Sequence, residues 1–400
     1  MFEGSSGLQL NGQSFTVLIS GKTSASALTA VVFPEPFEPL IRTPPILGFT
    51  AFKISASLRS SRDTIAEKGK VVASDILSPS LLGFVHLMNL SKADDFPKSI
   101  YVILFVFIRF LLNGFDDMEY REFGWTRAKV SSIGMGTYYD ASYIVTSLLF
   151  HRQMGKEEKV AALKRGLDLG INLIGTAEIY QSEGIVAEAI EGHDRDDLFV
   201  ATKVFWTHLR YKSVLKAAAN SLKRLKCSYI DLYQIHFPNS MVPIEETMKA
   251  MEKLVENGKV RYFGVSNFSL EQMKKAEEAL SKNKIASNQV EYNLKARGIE
   301  KDLLSYCEQE SIVILPYRPI AHGSLADPQG KLKIVMDTIS QKHNGKTPAQ
   351  LALNWLMVKS KLIFPIPRAS RPERVDENVG SLGWSLDGED TRKLEEAADS

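Results

Sequence analysis

The chain has little cysteine, little net charge and no long apolar run. Only Cys227 and Cys307 occur in 400 residues. Two thiols cannot build a disulfide framework or a cysteine-ligated metal cluster, so neither a structural disulfide nor a metal site is expected. A reducing, cytoplasmic setting is the natural reading. A formal net charge of +2 leaves no basic footprint for nucleic acid or for an anionic membrane surface. The most apolar stretch, 100–112, is 13 residues long and carries Arg109, whereas a bilayer span needs about 20 apolar residues. It also lies too far from the N-terminus to be a secretory signal. No GxGxxG turn follows any candidate strand. The nearest match, Gly134-Met135-Gly136-Thr137, lacks the third glycine and opens no helix, which disfavours a doubly wound dinucleotide-binding sheet. What remains is an ordinary soluble composition, 44% hydrophobic and 24% charged.

Texture divides the chain near residue 117. Upstream lie a proline cluster (Pro34, Pro36, Pro39, Pro44, Pro45), scattered serines and more than half of the phenylalanines. No helical or strand period persists there long enough to assign an element. Three readings of 1–117 stand. It is an accessory or membrane-associating domain, a disordered extension, or sequence upstream of a true start at Met118. The last is the expectation adopted, with 1–117 an unstructured or artefactual extension and 118–400 the folded domain.

After Met118 short apolar runs alternate with amphipathic segments. The runs fall at 130–137, 172–177, 198–204, 229–237, 260–267, 286–293, 312–319 and 363–369. Between them, segments such as 157–169, 213–226, 245–257, 270–281 and 299–310 repeat their apolar residues at helical spacing. Asn257-Gly258 reads as a helix stop, and Thr347-Pro348 as an N-cap followed by a first-turn proline. Eight strands joined by helical crossovers in about 283 residues predict an α/β fold, a (β/α)8 TIM barrel.

In such a barrel the C-terminal strand ends carry the chemistry. Three successive strands here run out at Tyr180 (GTAEIY), Lys203 (LFVATKV) and His236 (YIDLYQIHF). Taken singly, each reads as an ordinary rim or core residue. Together they offer a phenol as proton donor, an ammonium to lower its pKa and an imidazole to orient a carbonyl oxygen. A free tyrosine titrates near about 10, so it needs such a neighbour to serve as an acid at neutral pH.

The ordered set GMGT, GTAEIY, ATKV, DLYQIH, GVSN, NQVEYN, PYRPIAHG and IPRASRPERVDEN resembles the aldo-keto reductases over roughly 120–395. The branch of potassium-channel β-subunits and small prokaryotic reductases looks most similar. The resemblance implies an NADPH-dependent oxidoreductase that reduces aldehydes and ketones by hydride transfer. Tyr180 would be the general acid, Lys203 its activator and His236 the group that orients the carbonyl. It places Thr137 and Tyr138 near the nicotinamide ribose, Ser266, Asn267 and Gln289 on the carboxamide, and Tyr317 stacked on the ring. Arg368 and Arg374 match positions that meet the 2′-phosphate, with Glu377 and Asn378 on the adenine. Three arginines, with Arg371, at the start of a helix suit a phosphate in their own right. Phe205 and Trp206, with Tyr138 and Tyr139, are candidates for an apolar substrate wall. The expected partner is a small carbonyl compound.

One departure matters. The family carries an aspartate where this chain has Gly175, five residues before Tyr180. Its loss removes the lysine's counter-charge, which predicts reduced activity unless a group such as Glu178 or a water substitutes. A second reading follows, in which the protein is an NADPH-binding redox sensor or regulatory subunit with little turnover.

Overall fold

The computed structural model describes residues 4–10, 13–20, 29–34, 118–150 and 153–399. The chain divides into two units, 1–103 and 104–400. In the first, strands β1 (Gly4–Leu10), β2 (Gln13–Ser20) and β3 (Thr29–Pro34) pair as an antiparallel meander. The sequence reading assigned no element here. β1 and β2 pair from Leu10↔Gln13 outward, and the sequence signal passed over is the intervening Asn-Gly dipeptide, a pair favoured in hairpin connections. The 100–112 run lies outside the described residues.

The second unit opens with a hairpin, β4 (Tyr120–Glu122) and β5 (Lys129–Ser131). Seven parallel strands follow in sequential order: β6 (Met135–Gly136), β7 (Leu173–Gly175), β8 (Phe199–Val204), β9 (Ile230–Ile235), β10 (Val260–Ser266), β11 (Ser287–Glu291) and β12 (Val313–Tyr317). Helices stand between them, among them α1 (Ala141–Phe150), α2 (Lys156–Asp168), α3 (Glu183–Ala189), α4 (Tyr211–Leu225), α5 (Ile244–Glu256), α6 (Leu270–Glu278) and α7 (Leu303–Gln309). α8 (Gly330–Lys342), α9 (Pro348–Lys359), α10 (Pro372–Val379) and α11 (Gly388–Ala398) complete the set. Their starts are written locally. Thr347 and Gln350 form a reciprocal capping box with Pro348 in the first turn of α9, and Ser269 with Gln272 does the same for α6.

The eighth stave, expected at 363–369, is in place but does not form a regular ladder. Successive residues of a parallel strand serve opposite neighbours. Here the N–H groups of Phe364 and Ile366 donate to the carbonyls of Ile314 and Pro316 on β12, at 3.0 and 3.3 Å. Pro365 and Pro367 face the other edge, where their carbonyls accept from Gly134 and Gly136 at 2.9 and 2.8 Å. Proline has no N–H to return, so at 365 and 367 this seam has acceptors only, and the return bond comes from the Ala369 N–H to the Gly136 carbonyl at 3.0 Å. Gly136 is required at this closure, because a Cβ there would stand 2.8 Å from the Ile366 carbonyl oxygen.

The barrel interior is filled by Leu173, Phe199, Ala201, Leu232, Ala286, Val313, Leu315, Phe364 and Ile366. The β4–β5 hairpin packs against this cluster at the N-terminal end. Phe123 is fully buried, its ring centroid 4.7 Å from that of Phe199 and 5.3 Å from that of Phe364, and Trp125 Nε1 donates to the Ile285 carbonyl at 2.8 Å. With that end filled, the C-terminal strand ends are left for a ligand.

Candidate active site

Tyr180 ends a single 3-10 turn (Glu178–Tyr180) that follows β7. Its hydroxyl lies 3.2 Å from His236 Nε2 and 3.4 Å from Lys203 Nζ. The lysine nitrogen sits 4.6 Å from the centroid of the same ring and donates to the Thr176 carbonyl at 2.9 Å. The structure therefore brings together the three residues proposed from the sequence. Ser182 fixes the segment that carries them: its Oγ lies 2.9 Å from Thr137 Oγ1 and 3.1 Å from Thr176 Oγ1, all three residues being buried. Thr137 also donates, through N and Oγ1, to the Gly175 carbonyl.

Burial dominates the electrostatics. It lowers Lys203 to about 7, and the charge of Glu183 offsets only part of the effect. It lowers His236 to about 2, with the Lys203 charge adding to the shift. It raises the Tyr180 phenol, helped by Tyr138 and Tyr317 and opposed by Arg318. His236 is thus neutral at working pH. Its Nδ1 is buried without a partner among the described residues, and an unpaired acceptor costs less than an unpaired N–H. We therefore assign the proton to Nε2, facing Tyr180.

Among the described residues no carboxylate forms an ion pair or hydrogen bond with Lys203. Glu178 accepts from the Phe205 N–H at 3.0 Å, and its other oxygen lies 3.0 Å from His208 Nδ1. It is therefore not the substitute that the sequence suggested. Glu183 is occupied by Thr202 Oγ1 and Arg224 Nε, at 2.7 and 2.5 Å.

Beside the trio, Asn267 donates to the His236 carbonyl (2.9 Å) and to Ser266 Oγ (3.1 Å), while Tyr317 Oη donates to Asn267 Oδ1 at 2.9 Å. Ser266 Oγ donates to the Gln289 carbonyl at 2.8 Å. Asn267 adopts a left-handed backbone, φ 63°, a conformation asparagine tolerates better than most residues. Gln289 Oε1 is buried with no partner among the described residues, an acceptor suited to the N–H₂ of a carboxamide. Arg368 Nη1 donates to the Tyr139 carbonyl. Arg374 pairs with Glu377 at 2.6 Å, and Glu377 also accepts from Thr347 Oγ1. Asn378 is buried on the same helix, α10. Among the described residues no hydrogen bond or ion pair joins Arg374, Glu377 or Asn378 to Tyr180, Lys203 or His236; they form a second cluster. Tyr138 stands edge-on to Tyr180 at 5.2 Å and is 41% exposed; Phe205 and Trp206 are in mutual contact, with Trp206 38% exposed. The sequence reading missed Phe237, whose ring stacks on His236 at 4.8 Å and stands 43% exposed. Its place directly after a strand-end histidine was the available signal.

The aldo/keto reductase family profile matches residues 132–399. The chain belongs to this family. It is 35% identical over 274 residues to methylglyoxal reductase YeaE of Escherichia coli, covering 66% of this chain and 90% of that protein. It is 34% identical over 242 residues to the glyoxal reductase of Bacillus subtilis, covering 60% and 83% respectively. Among solved structures, the aldo-keto reductase of Klebsiella pneumoniae in complex with NADPH superposes with a TM-score of 0.61. That match is at 33% identity over 69% of this chain and 94% of that one. The sequence-based assignment to the family and to a (β/α)8 barrel is thereby met. Among the described residues no helix is long and apolar enough to cross a membrane.

Proposed function

We propose that this member of the family is an NADPH-dependent reductase of small aldehydes and 2-oxoaldehydes, a class suggested by the methylglyoxal and glyoxal reductases it is similar to. The observation that carries the reading is the Tyr180 hydroxyl set between His236 Nε2 and Lys203 Nζ. NADPH, when bound, supplies the hydride. The residues present fit it: Gln289 Oε1 and the Ser266–Asn267 pair offer polar contacts at the strand ends, Tyr317 offers a ring, and Arg368 with Arg374 offer cations for a 2′-phosphate. His236, neutral, donates from Nε2 to the carbonyl oxygen and fixes its position. Tyr180 gives its proton to that oxygen as negative charge develops there. Lys203, when protonated, stabilises the phenolate left behind. Tyr138, Trp206 and Phe237 give the open side an aromatic rim that excludes water.

A specific observation keeps the sensor reading alive. A lysine that titrates near 7 has lost its charge before the phenol releases a proton, so the activation of Tyr180 is weakened. Consumption of NADPH with methylglyoxal, glyoxal and a panel of larger aldehydes separates the two. Turnover supports the reductase. Tight NADPH binding with no turnover of any carbonyl supports the sensor. Tyr180→Phe removes the acidic proton and keeps the ring, so kcat should fall about 10²–10⁴-fold with NADPH affinity preserved. Undiminished activity in that variant would sink the assigned mechanism.

A further inference from the structure

We propose that the space beside Lys203 left open by Gly175 binds a small monovalent carboxylate, of which formate is the smallest, as the lysine's counter-ion. Lys203 is only 2% exposed, and its two recorded partners, the Thr176 carbonyl and the Tyr180 hydroxyl, are both neutral. Among the described residues no carboxylate forms an ion pair with it. The acids around it are engaged elsewhere, Glu183 by Thr202 and Arg224, Glu178 by Phe205 and His208. His236, the remaining titratable neighbour, has a buried Nδ1 without a partner. A buried, unpaired ammonium is costly, and an anion brought beside it relieves that cost.

The room for such an anion follows from the register. Gly175 pairs with Ala201, two residues before Lys203 on β8, and Ala201 belongs to the barrel interior. Position 175 therefore looks inward on the lysine's side of the sheet. A Cβ built there meets Ile366 Cδ1 at 3.5 Å and the Met135 carbonyl oxygen at 3.8 Å, and nothing else within 4 Å. Both are ordinary van der Waals contacts, so position 175 tolerates a side-chain carbon. Gly136, by contrast, is held to glycine by a carbonyl at 2.8 Å. A formate taking the place of a side chain at 175 would turn one oxygen to the ammonium.

The proposal rests on the reductase reading only for its kinetic arm, so the experiment has a second arm. Formate, acetate and propionate are titrated into the full chain at constant ionic strength, with sulfate as control, while thermal unfolding and NADPH-dependent turnover are followed. Formate should raise the melting temperature saturably, acetate less and propionate not at all. The response should disappear in Lys203→Met, which removes the cation, and in Gly175→Asp, which fills the space with its own carboxylate. Gly175→Ala, which narrows the space without adding charge, should weaken it even if the aspartate variant folds poorly. Turnover of the natural chain should rise about tenfold with formate, equivalent to ~1.4 kcal/mol. A thermal response equal for formate and sulfate, or undiminished in Lys203→Met, overturns the site and shows an adventitious ion only. Formate stabilisation that follows this pattern without turnover in any variant keeps the site and defeats the reductase reading. Brisk turnover indifferent to formate does the reverse.

Discussion

Lys203 is where the chemistry and the stability of this protein pull in opposite directions. The proposed mechanism needs its ammonium beside Tyr180, yet burial lowers it to about 7. The charged form dominates below that value and is lost above it, so reduction should decline as pH rises through about 7, read as kcat against pH. His236, neutral above about 2, adds no limb in the working range. Gly175→Asp should hold the lysine charged and move the limb to higher pH. It should raise kcat by at least about tenfold, ~1.4 kcal/mol of transition-state stabilisation, with NADPH affinity nearly unchanged. The gain should vanish in a Lys203→Met background, because the carboxylate acts only through that cation. Absence of any gain alongside brisk natural turnover would mean another group has taken the role. Lys203→Met should also make the fold more stable while abolishing reduction, since it removes an uncompensated buried charge. The sign can be worked through. The folded pKa near 7 lies below the ordinary lysine value of 10.5, so the cost of burying the charge is full below pH 7 and shrinks as pH rises toward 10.5. The stabilisation measured by denaturant unfolding should therefore be largest below pH 7 and fade above it; a gain that grew with pH would contradict the assignment.

At the scale of elements, the last stave shows what the sequence could and could not tell. Its apolar run was legible as a strand, but IFPIPRA holds two prolines that face one edge, and that edge has no donor until Ala369 bonds the Gly136 carbonyl. Strands such as 198–204 and 260–267 were legible because each is a short, mainly apolar run between helices, and the structure trims them only at the ends. Tyr180 lies on the 3-10 turn beyond β7 and not on the strand, whereas Lys203 and His236 were legible because they stand at strand ends. The grip of the Thr176 carbonyl on Lys203 was not, because a backbone acceptor leaves no trace in residue type. Nor was the engagement of Glu178 by Phe205 and His208, which depends on how two loops meet. The stave's exit into α10 is where cofactor choice should be decided. Arg368→Ala or Arg374→Ala should weaken NADPH by about 2–3 kcal/mol, as for loss of a charge-assisted phosphate contact, with NADH little affected. Arg374 already shares its charge with Glu377, so its loss should fall at the lower end. Equal losses for both cofactors would assign these residues to structure. Arg368 would then matter through its bond to the Tyr139 carbonyl.

For the molecule as a whole, every part proposed to act lies after residue 117. The hairpin that fills the N-terminal end begins at Tyr120, and the eighth stave runs out at Ala369. The interior between them is built from Phe123, Val130, Leu173, Phe199 and their partners up to Ile366. A barrel of about 283 residues lies within the ordinary size range for this fold. A chain begun at Met118 should therefore unfold cooperatively, with the same NADPH affinity and the same kcat as the full chain. Its melting temperature should differ by less than the ~2 °C that a loss of about 1 kcal/mol produces in a large domain. The meander of β1–β3 gives this test its edge. Paired strands in 4–34 mean that the upstream region cannot be set aside on composition alone. Its dispensability has to be measured on the barrel's own stability. A lower melting point with unchanged kinetics would make residues 1–117 a stabilising partner of the barrel. Loss of NADPH binding on truncation would make them part of its working surface, and the boundary read near residue 117 would be wrong.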